Sequence, residues 1–106
     1  MLLTLNASHN VISVSIITIG LVNKTIVHPR EVFCRAISDG ASATVICHSH
    51  PSGAVIPSDE DKRVTEQICR AGEIIGIPLL DHIIFSKTAY TSMNLQGFLP
   101  KANILP

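Results

Sequence analysis

Charge is scarce in this chain. Asp, Glu, Lys and Arg make up 15% of its 106 residues, eight acidic against eight basic, and the formal net charge is zero. A nucleic-acid partner is normally held through a basic surface that displaces counterions, so direct nucleic-acid binding is disfavoured. Aromatic residues are 4% of the chain, with no Trp and a single Tyr, and Tyr90 alone offers no stacking platform for bases. The three cysteines, Cys34, Cys47 and Cys69, are odd in number and lack CxxC spacing. That fits reduced, mostly buried thiols in a cytoplasmic protein better than a disulfide scaffold. The longest apolar run, "VISVSIITIGLV", is broken by Ser, Thr and Gly and falls short of the roughly 20 residues of a membrane span. The N-terminus also lacks the basic lead of a secretory signal.

What the chain does have is apolar residues, 46% of the total, enough for one folded domain over residues 1–106. "LLTLN", the turn "ASHN" and "VISVSIITIG" read as a hairpin, and "LVNKTIVH" as a crossing segment. "PREVFCRAISDG" carries the marks of a helix: Pro29 in the first turn, apolar Val32, Phe33, Ala36 and Ile37, and Gly40 as the stop. "ATVICHSH" reads as a buried strand, "PSGAVIP" as a loop punctuated by two prolines and a glycine. A second helix starts at Ser58 and ends near Gly76, with Val64, Ile68, Ala71 and Ile75 expected on its core face. "PLLDHIIFS" and "AYTSM" complete a β-β-α-β-α-β-β order, which implies an α/β fold, a mixed sheet with helices packed against it. Met1 stands inside a strand pattern with no lead-in, so the first strand is expected to begin upstream of it.

One segment, "HSHPSGAVIPSDED" (48–61), concentrates the ligand-type side chains. In an extended strand residues i and i+2 share a face, about 7 Å apart, so His48 and His50 can offer two imidazoles to one ion while Ser49 points away. Pro51 ends the strand, which leaves the pair at a sheet edge open to solvent. Asp61, in the first turn of the next helix, can return a carboxylate to that pair. Two His, one carboxylate and an open position make the composition of a catalytic zinc site. The simpler reading of Ser58 and Asp61 is local: an N-cap and the acidic half of a capping box. An isolated HxH is likewise a weak signal; the ordered strand–loop–helix combination is far more specific.

His48-Ser49-His50-Pro51, with Ser58 eight residues after His50 and Asp61 three further on, resembles the H-x-H-x7-S-x2-D signature of the JAMM (MPN-plus, JAB) zinc metalloproteases. "VHPREVF", "HSHPSG", "PSDED" and "GIPLLDHIIF" together resemble the RadC-like branch of that superfamily, from "LLTLN" to "GFL". The resemblance implies a cytidine-deaminase-like JAB/MPN fold, a Zn²⁺ cofactor held by His48, His50 and Asp61, and a Ser58 that helps hold the scissile carbonyl or its oxyanion. It implies a zinc metallopeptidase or isopeptidase acting on a peptide or protein substrate. Its general base is a glutamate near the start of the first strand. Upstream of His48 the only acidic residues are Glu31 and Asp39, and neither occupies that place. The base is therefore expected upstream of Met1, with Glu31 the remaining candidate inside the chain.

Two other readings stand beside this one. A non-catalytic interaction module on the same fold is favoured by the missing glutamate and opposed by the intact ligand triad. A DNA-repair association rests on the family's name alone, and the neutral charge counts against it. Among the remaining histidines, His82 reads as a hydrogen-bonded structural residue, with a role behind the metal ligands as the alternative. His28 caps or flanks a helix start, and His9 is a solvated turn residue. Cys47, on the strand face opposite His48, reads as core. Gly53 fits either a plain turn or close substrate approach.

Overall fold

The computed structural model describes residues 1–16, 28–50 and 54–100. The expectations for residues 17–27, the end of the second strand and the crossing segment, and for Gly53 lie outside these residues. Five strands, β1 (Leu2–Leu5), β2 (Val11–Ser15), β3 (Ala43–Ser49), β4 (Leu79–Phe85) and β5 (Tyr90–Ser92), and two helices, α1 (Pro29–Ser38) and α2 (Asp59–Ile75), follow the expected order. The sheet runs β2-β1-β3-β4-β5. It is mixed: β3 and β4 are parallel, bridged by α2, and every other neighbouring pair is antiparallel. This is the α/β architecture that the sequence implies.

Strand alternation decides which face is covered. Leu2 of β1 and Ile46 of β3 are opposed in the ladder and buried, in one cluster with Val32, Phe33 and Ala36 of α1, Ile68 and Cys69 of α2, and Leu79. Both helices therefore cover the same face. Ile12 and Val14, on the outer face of the edge strand, are exposed. Of the three thiols only Cys69 is fully buried; Cys47 is half-buried and Cys34 is exposed, which corrects the expectation of mostly buried cysteines for Cys34.

The helix ends follow the residues that can terminate them. His28 caps α1, its Nδ1 accepting from the Arg30 N–H at 3.2 Å, and Pro29 follows where no intrahelical N–H is needed. Gly40, at φ +64°, takes the left-handed turn after the helix. Ser58 and Asp61 form a complete capping box on α2: the Ser58 hydroxyl accepts from the Asp61 N–H at 3.0 Å, and the Asp61 carboxylate accepts from the Ser58 N–H at 2.8 Å.

The core face of α2 is Thr65, Ile68, Cys69 and Gly72, with Val64 and Ala71 at its margin. Ile75, expected inside, is 43% exposed, and Ile37 of α1 is 61% exposed. On α1 the apolar residues Val32, Phe33 and Ala36 are buried and only Ile37 falls outside. Counting apolar residues displaced the α2 face, because two of its buried positions are a threonine and a glycine.

A polar staple ties α1 to the hairpin. The Asp39 carboxylate accepts from the hydroxyls of Ser13 and Thr4 and from the Arg35 guanidinium. The Ser13 and Thr4 hydroxyls, more than Arg35, hold its carboxyl below the usual range. A depressed folded-state pKa gives stability that is present above the unfolded value and lost as pH falls through the folded one. Asp39→Asn is accordingly expected to lower the urea midpoint at pH 7, with the gap to wild type closing below about pH 4. A gap that persisted unchanged at pH 2.5 would mean that the carboxylate's charge contributes nothing.

Candidate metal centre

His48 sits near the end of β3, whose parallel pairing with β4 places Ile46 opposite His82 and His48 opposite Ile84. Residues opposed in a ladder share a face, so His48 and His82 both point toward α2. His50 follows the strand and is anchored by its N–H on the Phe85 carbonyl at 3.0 Å. The capping box fixes the third group. With one Asp61 oxygen accepting from the Ser58 N–H, the carboxylate presents Oδ1 to His48 Nε2 at 3.3 Å, and Oδ2 lies 3.5 Å from His50 Nε2. The two Nε2 atoms are 2.9 Å apart. The cap and ligand readings of Asp61 are thus two uses of one carboxylate.

The donor set fits a metal ion. His48, His50 and Asp61 bring one ligand atom each within 4.8 Å of the others, and tetrahedral Zn–N bonds of about 2.0–2.1 Å place neighbouring donors about 3.3 Å apart. The side chains are 15–24% exposed, open enough for exchange with solvent. Burial is the main influence holding the His48 imidazole below its usual pKa, partly offset by the Asp61 carboxylate. A hollow of about 210 Å³ lined by Met1, Ile16, Cys47, Ser49 and Phe85 reaches His48 from the sheet face opposite the triad and includes neither His50 nor Asp61.

Behind the triad is a set of contacts that the sequence reading did not assemble. His48 Nδ1 lies 2.7 Å from His82 Nε2, and His82 Nδ1 lies 2.6 Å from Thr65 Oγ1. Thr65 also donates to the Asp61 carbonyl at 2.7 Å. His82 is 2% exposed, and burial pushes its pKa down to about 4. It is a buried, hydrogen-bonded histidine as expected, and its partner is a candidate ligand. The available signal was Thr65, four residues after Asp61 and so on the same helix face. His50 Nδ1 meets the Ala54 carbonyl at 2.9 Å.

The other candidates fall elsewhere. Asp81 faces away from His82: it accepts from the Ser92 hydroxyl and from the Asn94 N–H. Glu31 lies in the first turn of α1 and lines a separate hollow with Ser15, Ile16, Cys34, Arg35 and Ser38. Among the described residues only Asp61 makes an ion-pair contact with either histidine of the triad.

A mixed five-stranded sheet with both helices on one face, and a His–His–Asp cluster where β3 meets α2, define an α/β domain with a candidate metal centre. The RadC-like JAB domain family matches residues 1–98, and the chain belongs to that family. It is 51% identical over 96 residues to a UPF0758 protein of Methanospirillum hungatei, covering 91% of this chain and 43% of that protein. A UPF0758 protein of Clostridium botulinum is 45% identical over 91% of this chain and 42% of its own length. One from Clostridium novyi is 46% identical over 90% of this chain and 42% of its own length. The chain thus spans less than half the length of these curated relatives. Among the described residues no helix is long and apolar enough to cross a membrane.

Proposed function

We propose that the domain is a zinc-dependent amide-bond hydrolase module, a metallopeptidase or isopeptidase acting on a peptide or protein substrate in the cytoplasm. The observation that carries this reading is the convergence of His48 Nε2, His50 Nε2 and the Asp61 carboxylate at one open sheet end. His48, His50 and Asp61 would hold the metal, which when bound supplies a Lewis acid and lowers the pKa of bound water to about 7. The Ser58 hydroxyl oxygen is engaged as an acceptor from the Asp61 N–H, and among the described residues no acceptor takes its own proton, which could donate to a developing oxyanion.

Protein prepared without chelator is expected to carry one Zn²⁺ per chain by elemental analysis, and His48→Ala to carry none. Equal metal in both, or none in either after zinc is supplied, overturns the assignment. Because neutral imidazole is the ligand, zinc affinity should fall at acid pH, with His48 taking up its proton below the usual imidazole value because it is buried.

Ser58→Ala separates the two uses of Ser58. Loss of the cap should destabilise the fold by about 1 kcal/mol with zinc affinity nearly unchanged. Loss of an oxyanion donor should in addition cut turnover about a hundredfold or more in a catalytically complete protein. Unchanged turnover there would leave Ser58 a cap alone.

A further inference from the structure

We propose that His82 and Thr65 are positioning residues for the metal centre: together they hold His48 in its Nδ1–H tautomer and tie the strand ligand to the helix that carries Asp61. This rests on the metal-site reading above, and it follows from the polarity of one chain of hydrogen bonds.

The chain ends on the Asp61 main-chain carbonyl, which can only accept. Thr65 Oγ1 lies 2.7 Å from it, so the single hydroxyl hydrogen must lie between them; without it two oxygen lone pairs would face each other. The 2.6 Å contact between Thr65 Oγ1 and His82 Nδ1 then needs its hydrogen from the ring, and His82 is the Nδ1–H tautomer. Its Nε2 is left as an acceptor, and the 2.7 Å contact to His48 Nδ1 requires a hydrogen on His48 Nδ1. Only this direction makes all three contacts hydrogen bonds. The Thr65 hydroxyl's other neighbour, Met93 Sδ at 3.5 Å, is a weak acceptor that does not compete.

Two consequences follow. His48 Nε2 is a bare lone pair. So is His50 Nε2, because His50 Nδ1 can meet the Ala54 carbonyl at 2.9 Å only as a donor. The structure thus presents two acceptor nitrogens 2.9 Å apart beside a carboxylate, an arrangement that a cation completes and a neutral site leaves repulsive. The relay also closes a ring, His48–His82–Thr65–Asp61, in which two candidate ligands are braced against each other through groups that are 0% and 2% exposed. A ligand imidazole commonly donates its other N–H to an oriented acceptor, and loss of that acceptor typically costs about 10–100-fold in metal affinity. Here the acceptor is a second histidine, itself oriented by a threonine.

The test reads tautomers directly. In metal-free protein with its imidazoles neutral, ¹⁵N–¹H correlation of the histidine rings should show Nδ1–H for both His48 and His82. Nε2–H on His48 overturns the proposal. In competition with a chromophoric chelator, zinc affinity should fall about 10-fold in Thr65→Val and about 10–100-fold in His82→Phe. His82→Gln, whose carboxamide can both accept from His48 and donate to Thr65, should stay within a few-fold of wild type. Folded Thr65→Val and His82→Phe with wild-type affinity overturn the proposal. Should His82→Phe fail to fold, the near-isosteric Thr65→Val and the wild-type tautomers decide. A wild-type chain that binds no zinc yet shows Nδ1–H on both rings defeats the metal reading and leaves the relay standing.

Discussion

Gly72→Ala is expected to destabilise the domain by about 2–3 kcal/mol, although alanine is the better helix former by about 1 kcal/mol. Gly72 is buried in the fourth turn of α2, where a Cβ would lie 2.6 Å from the Ile77 carbonyl oxygen and 3.4 Å from the Phe33 ring and the Pro78 Cα. The first of these is backbone and cannot rotate aside. It belongs to the turn in which the Gly76 and Ile77 N–H groups both return to the Gly72 carbonyl, at 2.8 and 3.0 Å. Making room means moving the end of α2 away from α1 or opening the connection into β4. Thermal or urea unfolding of the two proteins measures the difference. A Gly72→Ala protein as stable as wild type would show that this connection yields freely, and that the glycine is not required by the close approach.

The same glycine explains how far the fold could be read from the sequence. The element order and the mixed α/β sheet were legible, because β-branched runs, His28-Pro29, Ser58 and Gly40 each mark a boundary through local chemistry. The rotation of α2 was not. The spacing of Val64, Ile68, Ala71 and Ile75 points to a core face displaced from the real one. The real face closes over Thr65 and Gly72, which apolar periodicity does not count. Thr65 is inside because it bonds His82, and Gly72 because α1 and the Ile77 backbone come too close for a side chain. Both reasons are tertiary. In the candidate site, His48, His50 and Asp61 were legible because strand and helix periodicity fix their faces within fourteen residues. The link from His82 was not, because it depends on the parallel register of β3 against β4.

Joining the chain to upstream residues that carry a glutamate is expected to raise zinc-dependent amide hydrolysis by about 10²–10⁴-fold over the 106-residue chain, the usual contribution of a positioned general base. All eight carboxylates of the sequence lie among the described residues, and only Asp61 reaches the histidine pair. Asp39 is held by Ser13, Thr4 and Arg35, Asp81 by Ser92 and Asn94, and Glu66 pairs with Arg70. Asp59 and Glu60 belong to the first turn of α2, Glu73 to its far end. Glu31 sits in the first turn of α1, where an acidic side chain also serves the helix dipole. A base must come within about 3 Å of the proton it accepts, and the sheet register indicates where one can enter. Met1 exchanges backbone hydrogen bonds with Cys47, at 2.8 and 2.9 Å. Because β1 runs antiparallel to β3, residues preceding Met1 in a longer chain would continue alongside His48 and past it. The comparison needs four proteins on one substrate: the 106-residue chain, its Glu31→Gln variant, the extended chain, and the extended chain with its glutamate changed to glutamine. Activity confined to the extended chain and lost with its glutamate supports this placement. Robust zinc-dependent cleavage by the 106-residue chain, abolished by Glu31→Gln, would place the base on α1 instead.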